Sequence, residues 1–292
     1  MISVTTPDAT TVKPSRSSGP ASAPAIAAQA AEISTVVVKL GGRVLTDPRL
    51  PAAFATRLAM AAERVVIVHG AADEVSALQR AVGVTPTFVA GRRVTSAEDI
   101  DRIRMALSGL ANKRLTAALL GAGVPAFGIS GEDGALLVAD LADDGALGAV
   151  GTVASVHTPL LDLLLGGGYV PVIAPLARAA RPLGGPPPAT AALNVNADDA
   201  AATIAAALGA RELLLVADVP RVRAHGSEAT VLNRAVAEMA IAAGEIQDGM
   251  TVKVRAALTA VARGVPRVRI GGIEMITGES AGTSVVSDGI RL

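Results

Sequence analysis

From Ile33 onward the chain alternates short runs of β-branched and aliphatic residues with longer Ala/Leu-rich stretches of helical period, and this alternation constrains the fold more than any other feature. Strand followed by helix, repeated, builds stacked βαβ units, which means an α/β fold: a three-layer sandwich around a mostly parallel sheet. The pattern predicts strands over 35–40, 64–69, 126–129, 169–174, 212–217 and 267–270. Helices are predicted over 51–62, 72–81, 96–107, 111–121, 159–165, 197–208 and 251–263. At 292 residues the chain has room for two lobes. The Pro/Gly-dense stretch RPLGGPPPATAA at 181–192 is the natural boundary between an N-terminal lobe, 34–190, and a C-terminal lobe, 191–292. Residues 1–33 are rich in Ser, Thr, Pro and Ala, have few large apolar side chains, and read as a disordered tail.

Several function classes fall away on composition. Lys plus Arg (26) balances Asp plus Glu (26), so the basic footprint of a nucleic-acid binder or of a polybasic membrane-surface protein is missing. With no Cys there are no disulfides, thiolate metal sites or cysteine nucleophiles, and three His make a zinc site improbable, so no residue is nominated as a metal ligand. Aromatic residues are 1% of the chain, which leaves an aliphatic core. The apolar stretch 157–177 contains Asp162 and the triplet Gly166, Gly167 and Gly168, so no transmembrane helix is expected. In the tail, Asp8, Lys13 and Arg16 precede only small residues and no apolar h-region follows, and a single Arg leaves a transit peptide as the weak alternative to the expected cytoplasmic protein.

Four clusters have chemical potential. VVVKLGGR (36–43) and VVIVHGAAD (65–73) each run from a strand through a glycine turn into a helix. Such turns either are simple tight turns or offer backbone N–H groups as a cradle for phosphate or carboxylate oxygens. Lys39 tilts the choice, because a Lys within an apolar strand is costly to bury unless it faces a ligand or an acid. In LNVNADD (193–199), Asn194, Asn196 and Asp198 alternate, which points them to one side of an extended segment; an N-cap would occupy only one of the three. In DGMTVKVRAAL (248–258), Lys253 falls in the first turn of the predicted helix, where position alone makes it a solvated surface charge. In GRRVTSAEDID (91–101), Thr95 or Ser96 caps a helix with Glu98 as box partner, and Arg92 and Arg93 stand outside it as candidate carboxylate forks.

KLGG (39–42), GRRVT (91–95), GLANK (109–113), NVNAD (194–198) and DGMTVK (248–253) stand in the order and spacing of the amino acid kinase family, and the chain from Val36 onward most resembles its acetylglutamate kinases. The resemblance implies ATP and Mg²⁺ as cofactors and phosphorylation of the side-chain carboxylate of N-acetylglutamate, with N-succinylglutamate or carrier-protein-bound aminoadipate or glutamate as alternative acceptors. A catalytically weakened, regulatory member of the family is the competing reading. By similarity Lys39 and Lys253 stabilise the transferring phosphoryl group and Asp198 holds both ammonium groups. Arg93 takes the substrate's α-carboxylate and Asn194 its acylamino-acid backbone, while Gly70 and Ala71 line the substrate side. Gly41, Gly42 and Asp218 belong to the nucleotide side. A small-molecule acylglutamate partner and a homo-oligomer, at least a dimer, are implied as well.

The chain departs from the family at three places. Ala71 and Ala72 replace glycines after Gly70, and alanine there strains the turn if either position requires positive φ. The nucleotide loop reads Ala217, Asp218 and Arg221 where the family has Thr or Ser, Asp and Gly. The C-terminal stretch is shorter than in many acetylglutamate kinases, which bears on feedback by arginine.

Overall fold

The strand Thr35–Leu40 shows why the central sheet must be covered on both faces. Val36, Val38 and Leu40 point one way and Val37 the other, yet all four are completely buried. The first set joins Val65, Ile67, Leu214 and Val216 in a core closed by Leu50 and Phe54 of the helix Leu50–Met60 and by Leu115 and Leu119 of the helix Asn112–Gly121. Val37 joins Val66, Val68, Leu213 and Leu215 in the opposite core, under the helices Thr158–Gly166, Ala197–Ala207 and Asp248–Ala262. The outcome is an α/β three-layer sandwich. The computed structural model describes residues 33–181 and 192–288; the tail at 1–33, except its last residue, and nearly all of the loop at 181–192 lie outside the described residues.

The sheet has eight strands in the order Val231–Leu232, Thr283–Val285, Arg267–Gly271, Glu212–Val216, Thr35–Leu40, Arg64–His69, Val170–Ala174, Ala126–Ser130. The last six run parallel, and the two short strands at the other edge run against them. All six strands predicted from the sequence belong to this sheet, with ends displaced by at most one residue.

Three features differ from the sequence expectation. No break separates the two helices predicted over 96–107 and 111–121: the chain runs from Asp99–Ile103 through a wide π-helical turn, Arg104–Ala111, into Asn112–Gly121, and both junctions keep right-handed helical dihedrals. The helix Arg234–Ala242 and the hairpin of Phe88–Val89 with Arg92–Arg93 were not predicted. Four further strands, Leu137–Leu141, Val150–Val156, Leu176–Ala179 and Ala192–Val195, close into a small barrel beside the main sheet. Three of these strands mix Ala and Leu with Asp, Arg or Asn, and Val150–Val156 interrupts its Val residues with Gly, Ala and Ser, so no clear run of strand formers announces them.

Candidate active site

Strand alternation puts Lys39 on the face of Val37, toward the helix Ala197–Ala207. That helix starts where it does because Asn196 caps it, its Oδ1 accepting from the backbone N–H of Asp198 (2.8 Å) and Asp199 (3.2 Å). The cap fixes Asp198 in the first turn, opposite Lys39. Lys39 Nζ donates to Asp198 Oδ2 at 3.0 Å, and Lys253 Nζ donates to Oδ1 of the same carboxylate at 2.7 Å. All three side chains are more than nine-tenths buried. The solvated position expected for Lys253 is therefore overturned. Its helix begins at Asp248, three residues before the predicted start, so Lys253 lies in the second turn on a face it shares with the buried Ala256 and Ala257.

Two cations on one carboxylate explain the local electrostatics. Burial pushes the Lys39 ammonium down to a pKa of about 8; Asp198 opposes the shift and Lys253 adds to it. Burial by itself would raise the Asp198 carboxyl, but the charges and hydrogen bonds of Lys253 and Lys39 together outweigh it and hold the group down to about 2. The trio is thus one net positive charge in a cleft, placed to meet an anion.

The glycine turns complete this charge with backbone donors. The Gly41 and Gly70 N–H groups are already committed, to Val216 O and Leu40 O, both at 3.0 Å. The amides of Gly42, Ala71 and Ala72 donate to no acceptor among the described residues, and a Cβ built on Gly42 would lie 3.6 Å from Ala72 N. Free N–H groups from two turns therefore sit side by side near Lys39, at the start of the helix Ala72–Ala81. Alanine costs nothing here: Ala71 has φ −162°, an extended value any residue adopts, and Ala72 is the first residue of the helix. The strain feared at this turn does not arise.

Arg93, from the hairpin, lies over the Phe88 ring, 4.6 Å from its centre. One Nη1–H goes to Gln79 Oε1, and Nη2 donates to Ala72 O and Ser76 Oγ, both at 2.8 Å. Of the five guanidinium donors, the Nε–H and one Nη1–H meet no acceptor among the described residues and remain for a ligand. Arg92, the other candidate fork, is instead paired with Asp199 at 2.9 Å. Ser96 Oγ accepts from Asp99 N at 3.3 Å, whereas Thr95 takes no capping role; it receives the Asn194 Nδ2 donor at 3.0 Å. Asp218 meets Arg43 across the mouth of the cleft at 2.8 Å.

All ten residues nominated from the sequence, Lys39, Gly41, Gly42, Gly70, Ala71, Arg93, Asn194, Asp198, Asp218 and Lys253, line a single cleft of about 650 Å³. Sequence reasoning missed Ser76, Gln79 and Phe88, which orient Arg93. The only signal for them was a helical period that puts Ser76 and Gln79 on one face. Among the described residues no three or more His, Asp or Glu side chains gather as a metal site.

The sequence pattern of the amino acid kinase family matches residues 34–272. The chain belongs to the amino acid kinase family. It is 41% identical to the acetylglutamate kinase of Roseiflexus sp. (strain RS-1) over 256 residues, covering 87% of this chain and 94% of that enzyme. It is likewise 41% identical to the acetylglutamate kinase of Geobacillus stearothermophilus over 238 residues, or 81% and 89% of the two chains. Among solved structures it resembles smu.665 from Streptococcus mutans UA159, with a TM-score of 0.74, 27% identity, and coverage of 87% of this chain and 99% of that one. Sequence and fold thus place the chain in the same family.

Proposed function

We propose that the chain is an ATP-dependent kinase that phosphorylates the side-chain carboxylate of N-acetyl-L-glutamate, giving N-acetylglutamyl 5-phosphate, a step of arginine biosynthesis. The observation that supports this most is the buried Lys39–Asp198–Lys253 arrangement. ATP, bound with Mg²⁺, supplies the phosphoryl group. Phosphoryl transfer needs positioning and charge neutralisation more than covalent chemistry, and the chain's own residues are suited to both. Lys39 and Lys253 provide the charge, and Asp198 keeps the two ammonium groups from repelling each other apart. The Gly42, Ala71 and Ala72 amides offer donors that cost no reorganisation. Arg93, already oriented by Gln79 and Ser76, takes the α-carboxylate, and Asn194 holds the acylamino-acid backbone. Asp218, with Gly41 and Gly42, serves the nucleotide side. In this reading residues 34–190 bind the acylglutamate and 191–292 the nucleotide.

The cleft supports acetyl over succinyl. A succinyl group brings a third carboxylate, but Arg92 is matched by Asp199 and Arg43 by Asp218. A weakened regulator is disfavoured, because a site released from catalysis has no physical reason to keep three charges buried together. We place the enzyme in the cytoplasm as a homo-oligomer. No helix among the described residues is long and apolar enough to cross a membrane. An oligomer is supported by the open edge strand Ala126–Ser130, where exposed Phe127 packs edge-on against Tyr169 with ring centres 5.8 Å apart. Purified protein given ATP, Mg²⁺, hydroxylamine and N-acetyl-, N-succinyl- or unmodified glutamate tests the reading. Acyl hydroxamate is expected from the acetyl compound, and none from any of the three would refute it.

A further inference from the structure

The motif GLANK and the imidazole of His69 have no part in the site as described so far, yet the structure joins them directly behind it. His69 ends the strand Arg64–His69 and is completely buried. Its Nδ1 lies 3.1 Å from Gly70 O and its Nε2 3.0 Å from Asn112 Nδ2. Gly70 O can only accept and Asn112 Nδ2 can only donate, so the ring must be the neutral Nδ1–H tautomer. The amide orientation of Asn112 is fixed independently: its Oδ1 accepts from Lys113 Nζ at 3.1 Å, and its Nδ2 also faces the carbonyl oxygens of Val172 at 2.8 Å and, more distantly, Ile129 at 3.3 Å. Room for Asn112 exists because residue 128 is glycine; a Cβ there would come within 2.4 Å of Asn112 Oδ1. Asn112 is itself fully buried.

The consequence follows from the planarity of the peptide bond. In the trans peptide joining Gly70 to Ala71, the C=O and N–H point in opposite directions. Holding Gly70 O against the buried imidazole therefore turns the Ala71 N–H away from the interior, toward the cleft that Gly70 and Ala71 line. That N–H is one of the free donors beside Lys39. We infer that Asn112, acting through the Nδ1–H tautomer of His69, is a positioning residue that aims the Ala71 amide at the anionic group being transferred.

The geometry gives these two completely buried polar side chains a reason to be there, since each is paired by the other and by a backbone carbonyl. Burial holds the His69 ring down to a pKa of about 4, against the opposing effect of Gly70 O and with help from the Lys113 charge. The ring thus stays neutral, with Nε2 free to accept, across the working range of a cytoplasmic enzyme. The role of the amide rests on the kinase reading above; the tautomer does not.

The test compares three variants of the full chain with the active wild type. His69→Gln keeps an acceptor near the Nε2 position and loses the donor to Gly70 O, whereas His69→Asn keeps a donor near Nδ1. Asn112→Leu removes the support for the tautomer. Loss of one preorganised backbone donor lowers kcat by on the order of a hundredfold, so His69→Gln and Asn112→Leu should lose that much while the KM for ATP stays within about threefold. His69→Asn should recover at least about tenfold of the kcat lost in His69→Gln. Melting temperatures separate this pattern from general unfolding, and ¹⁵N NMR of histidine-labelled protein reads the tautomer even if no acylglutamate is turned over. An Nε2–H tautomer, equal losses in the two His69 variants at equal stability, or unchanged kcat in Asn112→Leu would each overturn the inference. Failure of the wild type to make hydroxamate would instead count against the kinase reading, leaving the tautomer result to stand alone.

Discussion

Replacing Asp198 by Asn removes the one negative charge that two buried ammonium groups share and leaves its volume in place. Both lysines then lose the charge that faces them at 3.0 and 2.7 Å, at most one of them keeps the amide oxygen as an acceptor, and the two ammonium groups face each other with side chains less than one-tenth exposed. Breaking a buried ion pair from one side typically costs about 3–5 kcal/mol. An independent bound comes from proton release. The folded chain can always relieve the repulsion by letting one lysine go neutral, and from an ordinary value of 10.5 that costs at most about 5 kcal/mol at pH 7. The two figures agree. The sign of the pH dependence follows from linkage: in the variant the folded state binds fewer protons than the unfolded chain from neutral pH up to the ordinary lysine range, so its stability rises with pH over that window. Wild type should show the same rise only above about 8, where Lys39 titrates in the folded protein. Urea denaturation of Asp198→Asn between pH 6 and 10 measures the stability, and the hydroxamate assay measures kcat, expected to fall by on the order of a hundredfold or more. A loss below about 1 kcal/mol with kcat within about tenfold of wild type would show that Asp198 is not the electrostatic centre of the cleft.

The two lysines and Arg93 should separate kinetically. Lys39→Ala and Lys253→Ala lower kcat by on the order of a hundredfold with modest effects on the KM for N-acetylglutamate, whereas Arg93→Ala mainly raises that KM, because the α-carboxylate is bound alike in ground and transition states. In acid, the stability that Asp198 confers by being held at about 2 rather than 3.8 is roughly 2 kcal/mol. It is fully present above about 4 and is lost as the pH falls toward 2, which the Asp198→Asn variant should not show in acid titrations followed by circular dichroism. At the opposite end of the strands, Glu212 accepts from Arg269 Nε at 2.9 Å and pairs with Arg267 at 3.1 Å and Arg57 at 3.3 Å, all around a nearly inaccessible carboxylate. Glu212→Gln should therefore cost about 3–5 kcal/mol in urea denaturation while the folded fraction retains its kcat, since the change is remote from Lys39.

The sequence by itself determined the layered architecture and most of the site. Runs such as VVVKL and RVVIVH leave a strand no choice but burial on both sides, and that requirement is local enough to place six strands within a residue of their true ends. The polar residues of the cleft were legible for a related reason: a Lys in an apolar strand or three alternating polar residues before an alanine-rich helix conflict with local burial preferences, and such conflicts mark sites. Tertiary structure alone decided the rest. Lys253 reads as a surface charge until the helix start at Asp248 turns it inward. The small barrel depends on partners far apart in sequence, with Asn194 opposite Leu176 on one side and Val150 on the other. His69 and Asn112 lie 43 residues apart. Nothing in either neighbourhood shows that an imidazole, an amide and the missing side chain of Gly128 meet behind the Gly70 turn, because hydrogen-bond direction belongs to three-dimensional placement and not to residue order.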